Sequence, residues 1–140
     1  MSNIIAGIDS QNNVRIEVEI QGLYKSTPYG AIIDTGFSGG LVLPLVTAVD
    51  IGLTKVGAST VTLADGSVLV IPAFLCKVKI GNLVQEATTL LMGSEVLIGM
   101  ELLTNYRFCM SPLIGEVIIE EWKEVNKIKT LSESLKRLGG

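Results

Sequence analysis

The chain has 140 residues, 48% of them hydrophobic and 18% charged, which fits one folded domain and excludes disorder, and no apolar run reaches the roughly 20 residues of a membrane-spanning helix. It contains no histidine and only two cysteines, which excludes Ser-His-Asp and Cys-His catalytic arrangements, imidazole metal centres and four-thiolate zinc sites, so no metal is expected. The net charge of -3, with no basic cluster ahead of the last predicted helix, gives no footprint for a nucleic-acid partner.

Residues 1–9 carry neither the basic start nor the apolar segment and cleavage site of a secretory signal, and a cytoplasmic location is expected. Val14, Ile16, Val18 and Ile20 alternate with Arg15, Glu17, Glu19 and Gln21, the period-two pattern of a strand with one wet face, which Gly22 closes. Ala31, Ile32 and Ile33 run apolar into Asp34 as a strand buried on both faces would, and Gly36-Phe37-Ser38-Gly39-Gly40 turns the chain. Residues 41–43 resume a strand, and Pro44 opens a short helix that Gly52 stops.

Two β-branched runs, 60–63 and 67–71, flank Ala64-Asp65-Gly66, and an Asp-Gly pair between such runs predicts a projecting hairpin. Phe74, Cys76, Val78 and Ile80 mark a further strand, and Gly81-Asn82 turns it into another through about Leu91. Residues 96–98 form an all-apolar strand ending at Gly99, a helical turn follows over 100–106, and 107–111 and 116–120 are the last two strands, broken by Pro112 and Gly115. So many short strands predict a closed or sandwich-like all-β domain. Cys76 and Cys109 both fall in strands and are expected to be buried small hydrophobes rather than a disulfide.

From Trp122 the period changes: Val125, Ile128, Leu131, Leu135 and Leu138 recur every three or four residues among lysines and glutamates, as on an amphipathic helix. The chain therefore divides into a β domain over 1–121 and a helical extension over 122–140, expected to pack on that domain or on a partner. Glutamates interrupt the lysines, which speaks against a helix lying on a membrane, and no membrane partner is expected.

A lone carboxylate at the end of an apolar strand is costly unless it has a partner or a purpose. One reading makes Asp34 a turn residue that caps its neighbours' N–H groups. The other comes from a resemblance. Ala31-Ile32-Ile33-Asp34-Thr35-Gly36-Phe37-Ser38 is similar to the active-site loop of retropepsin-like (retroviral-type, clan AA) aspartic peptidases, particularly the small bacterial homologues. Val96-Leu97-Ile98-Gly99-Met100-Glu101-Leu102-Leu103 resembles the hydrophobic-hydrophobic-glycine segment before that family's short helix, and the Asp65-Gly66 hairpin lies between the two, where the family has its flap.

The fold class that the resemblance implies is all-β: a closed retropepsin-like acid-protease barrel with one short helix after the second glycine motif and a C-terminal amphipathic helix. It implies a homodimer that cleaves a peptide or protein substrate without a cofactor. Two copies of Asp34, one per chain, would share a proton and activate a water. Thr35 would hydrogen-bond across the two-fold axis, and Gly36, without a Cβ, would let a peptide approach. Substrate contacts are implied for Ile32, Phe37, Ser38, Leu97 and Ile98, and for Leu63, Ala64, Asp65 and Gly66 of the flap. Leu97 and Ile98 read equally as core, and Gly66 equally as a plain turn residue.

The sequence departs from the family in three places. Phe37 stands where Ala or Ser is usual, which bears on groove width and, because Phe37 cannot hydrogen-bond to Asp34, implies a mildly rather than strongly acidic optimum. Ser38 and Met100 stand where retroviral members have an acidic residue and an arginine that pair, so other contacts must hold the dimer. Two further readings stay open from the sequence: a retropepsin-like dimer that binds peptides or proteins without cutting them, and a structural β-domain.

Overall fold

The computed structural model describes residues 4–122 and 133–139. Between residues 6 and 121, ten strands and two short helices follow one another as β1 Ala6–Ile8, β2 Val14–Gln21, β3 Ser26–Ile33, β4 Leu41–Leu43, α1 Leu45–Ile51, β5 Thr54–Thr62, β6 Val68–Ile80, β7 Leu83–Leu91, β8 Leu97–Ile98, α2 Met100–Leu103, β9 Tyr106–Ser111 and β10 Glu116–Glu121. Eight strands form one sheet in the order β1-β2-β3-β8-β4-β7-β6-β5, and β2 also pairs with β6, so the sheet curls into a ring with β1 and β5 as its flanges. That join sets Glu19 opposite Lys79, an attractive cross-strand pair.

The strands of the ring turn apolar residues inward. Val14, Ile16, Val18 and Ile20 of β2 are all buried, and they meet Ala31 and Ile33 of β3, Leu41 and Leu43 of β4, Val78 and Ile80 of β6, Ile98 of β8 and Leu102 of α2. Burial of each large aliphatic side chain contributes roughly 1.5–3 kcal/mol. The β9–β10 hairpin is a separate two-stranded sheet that lays Tyr106, Phe108, Val117 and Ile119 against the same core. The Tyr106 hydroxyl donates to the Ile80 carbonyl at 2.7 Å, and burial, with Glu121 nearby, pushes its pKa up to about 12.

Several boundaries differ from expectation for physical reasons. β6 runs unbroken through Pro72, which pairs with Ala58 of β5, whereas pairing with β7 starts only at Ala73. A residue lacking N–H is tolerated where one edge of its strand is free. The helix after Gly99 stops at Leu103, because Tyr106 is taken into β9. β1 has no counterpart among the expected elements: it has three residues and pairs with β2 through a tight turn in which Asn12 has φ 64°. Cys76 is buried, as expected, and lies 3.1 Å from the Thr89 hydroxyl. Cys109 is exposed instead of buried, because the register sets it on the outer face of β9 opposite Ile118.

Of the expected C-terminal helix, residues 133–137 are helical, and Leu135 and Leu138 are exposed rather than packed on the β domain. Val125, Ile128 and Leu131 lie outside the described residues. Among the described residues, no helix is long and apolar enough to cross a membrane.

Candidate active site

The apolar run of β3 ends on Asp34, whose N–H donates to the Ile98 carbonyl at 2.9 Å. The short strand β8 lies between β3, parallel to it, and β4, antiparallel to it, with Leu97 beside both Ile32 and Val42. The chain from Asp34 to Gly40 therefore arches over the end of β8 and returns as β4 on its far side. Three more backbone bonds tie the arch to the chain that leaves β8. Gly99 N–H donates to Gly40 O at 2.8 Å, Met100 N–H to Phe37 O at 2.8 Å and Glu101 N–H to Gly39 O at 3.1 Å. The two glycine motifs, far apart in sequence, are one hydrogen-bonded unit.

Gly99 makes this crossing possible. A Cβ there would collide with the Gly39 carbonyl oxygen and lie 2.5 Å from Cδ2 of Phe37, an approach no other residue type permits. A Cβ on Gly39 would likewise meet the Phe37 ring at 2.5 Å. The ring thus lies folded over these two glycines and is half-buried. Phe37 lines the cleft beside the arch.

Asp34 is half-buried, while Thr35 and Gly36 are exposed at the crest of the arch. One carboxylate oxygen of Asp34 accepts from the Gly36 N–H at 3.1 Å, and the Phe37 N–H closes the turn on the Asp34 carbonyl at 3.1 Å. Asp34 does therefore cap its own turn, as the plain turn reading has it. That hydrogen bond engages one oxygen, leaving acceptor capacity on a carboxylate that has two.

A cleft of about 470 Å³ runs beside the arch, between residues 36–40 and residues 59–62 of β5, with Thr88 and Leu90 of β7 and Glu101 completing it. Its floor is a second apolar cluster in which Val42, Ala73 and Leu90 pack with Phe37, Val61, Ile71 and Leu97. Among the expected substrate contacts, Phe37 and Ser38 line the cleft. Leu97 supports it from below, whereas Ile98 is wholly buried in the main core and reaches no groove surface. Ile32, half-buried next to Leu97, does not line the cleft either.

The hairpin is present, with its tip at residues 63–67. Gly66, at φ 85°, donates to the Leu63 carbonyl at 2.9 Å. The Asp65 carboxylate accepts from the Ser67 hydroxyl at 2.6 Å and from its N–H at 2.8 Å, which lowers its pKa. Asp65 thus organises the turn. Leu63, Ala64, Asp65 and Gly66 stand beyond the cleft, and the β5 limb of the hairpin, Ser59 to Thr62, forms the wall instead. The sequence marks this limb from Thr60 onward but not its extension back to Thr54, because residues 54–59 show no clean alternation.

A cluster of charges with no sequence signature of its own gathers around Arg15 of β2. Arg15 pairs with Asp9 at 2.7 Å and with Glu95 at 3.2 Å, and donates to the Gly30 carbonyl at 3.1 Å. It links the β1–β2 turn, β3 and the segment that leads into β8. The Arg15 guanidinium, with backbone N–H groups, lowers the pKa of Asp9 to about 2. No protein-family model matches this chain, and no curated protein matches it.

Proposed function

We propose that this chain is one half of a homodimeric aspartic endopeptidase of the retropepsin-like type, with Asp34 as its single catalytic carboxylate and the second supplied by an identical chain. The observation that carries the proposal is the arch. Asp34 follows the end of β3, where Ala31 and Ile33 are buried and Ile32 half-buried rather than the segment being buried on both faces. It is fixed through its own N–H to Ile98, and it sits in an exposed Asp-Thr-Gly turn next to a hairpin-walled cleft. A structural turn residue requires neither the pinning to the Gly99 segment nor the adjacent cleft.

In this reading two arches meet about a two-fold axis, and their carboxylates come within about 3 Å, too close for both to ionise readily. The ionised member takes a proton from a water, which attacks the scissile carbonyl. The protonated member polarises that carbonyl, and the roles exchange as the amine leaves. Exposed Thr35 and Gly36 lie where the second chain would cover them.

Incubating wild type and Asp34→Asn with a mixed peptide library over mildly to strongly acidic pH tests the proposal. Cleavage by wild type alone is expected. Equal cleavage by both proteins contradicts it, and none by either, from a folded dimer, favours a peptide-binding module.

A further inference from the structure

The cleft walls combine a single ionisable group with a ring of hydroxyls. Glu101 is the one charged residue among those lining it, accompanied by Ser38, Ser59, Thr60, Thr62 and Thr88. Its carboxylate makes no ion pair among the described residues and is exposed, so its charge is free to meet a ligand. The backbone of Glu101 is fixed on both sides. Its N–H donates to Gly39 of the arch at 3.1 Å, and its carbonyl accepts from the Thr104 hydroxyl at 3.0 Å. The charge is thus carried on the same unit that carries Asp34.

We infer that this cleft takes a cationic side chain of a bound peptide, lysine or arginine, and that Glu101 is the residue that selects it. The inference rests on reading the cleft as the peptide groove. Phe37, Val61 and Leu90 offer an apolar wall for the aliphatic stem of such a side chain, and the hydroxyls can accept from its N–H groups. An acidic side chain entering the same space would face Glu101 with like charge and find no cation to pair with among the described lining residues. The selection is electrostatic, and it weakens with salt because the cleft is open to solvent.

The test uses a set of labelled peptides, identical except for lysine, arginine, norleucine or glutamate at one position, with that position scanned along the peptide. Binding to full-length Asp34→Asn is measured by fluorescence anisotropy, and cleavage by the wild type is followed in parallel. At one position, lysine and arginine peptides should bind roughly three- to tenfold more tightly than norleucine. Adding Glu101→Gln should remove that preference, so that lysine, arginine and norleucine peptides bind alike, and Glu101→Lys should transfer it to glutamate. Glu101 is exposed, and circular dichroism checks that these variants fold.

A preference that is absent, or that survives Glu101→Gln, overturns the inference, as does failure of every peptide to bind. Cleavage without a Glu101-dependent preference sinks this inference and leaves the peptidase reading standing. Glu101-dependent binding without any cleavage does the reverse.

Discussion

The ring of Phe37 occupies the space directly in front of Gly99: a Cβ on Gly99 would lie 2.5 Å from its Cδ2 while also striking the Gly39 carbonyl. Gly99→Ala must therefore push both the ring and the arch away from β8. It is expected to cost about 1–3 kcal/mol, read as a lower urea midpoint. Adding Phe37→Ala should recover only part of that loss, because the backbone carbonyl of Gly39 remains in the way. Full recovery would mean the ring alone sets the constraint.

This relationship also marks what is legible in the sequence. The glycine-rich turn after Asp34 and the strand end at Gly99 are visible as turn signals, though not the contact between them, and the strict alternation of Val14, Ile16, Val18 and Ile20 is enough to assign the buried face of β2. The cleft itself is not legible. Leu90 reaches it because β4 and β7 pair in parallel with Val42 opposite Leu90, and a non-local register leaves no mark on local periodicity. The same holds for Cys109, whose outward face follows from its pairing with Ile118, and for the three residues of β1, too few to show a period. Glu101 is visible as part of the second motif, but its place in the cleft depends on the bond from its N–H to Gly39.

The Arg15 clamp gives the fold an acid limit. Asp9 titrates near 3.8 when unperturbed and at about 2 in the folded chain. Its contribution is therefore present above about pH 3.8 and is lost as pH falls through about 2. Thermal melts of wild type should show an added loss of stability in that window. Asp9→Asn should be less stable than wild type at neutral pH and should lack that part of the acid dependence. Identical acid profiles would mean the pair contributes nothing.

At the alkaline end, Tyr106 has the opposite sign. Its hydroxyl is raised from 10.0 to about 12, so stability is full below pH 10 and is lost as pH rises through about 12. Tyr106→Phe should abolish this part of the alkaline loss. It should also cost about 1–2 kcal/mol at neutral pH by leaving the buried Ile80 carbonyl without its donor. Chemical denaturation across the alkaline range checks both effects.

Thr35 is exposed, and its hydroxyl makes no hydrogen bond among the described residues, so its replacement should barely alter the stability of a single chain. In the proposed dimer it bonds across the axis. Thr35→Val should then raise the dimer dissociation constant on the order of tenfold or more and reduce cleavage accordingly, whereas Thr35→Ser should retain both. Sedimentation equilibrium at several concentrations distinguishes this from a plain strand-end role, in which Thr35→Val would leave association unchanged.

The central claim, that one active site takes one Asp34 from each of two chains, is tested most directly by mixing subunits. Wild type and Asp34→Asn are unfolded together in equal amounts, refolded, and assayed at a fixed total concentration on a peptide that the wild type cleaves. If each site needs both aspartates, only dimers of two wild-type chains work, and activity should be about one quarter of that of wild type alone. Activity that falls only to about one half, in proportion to the wild-type fraction, would show that each chain acts with its own site and would contradict the proposal.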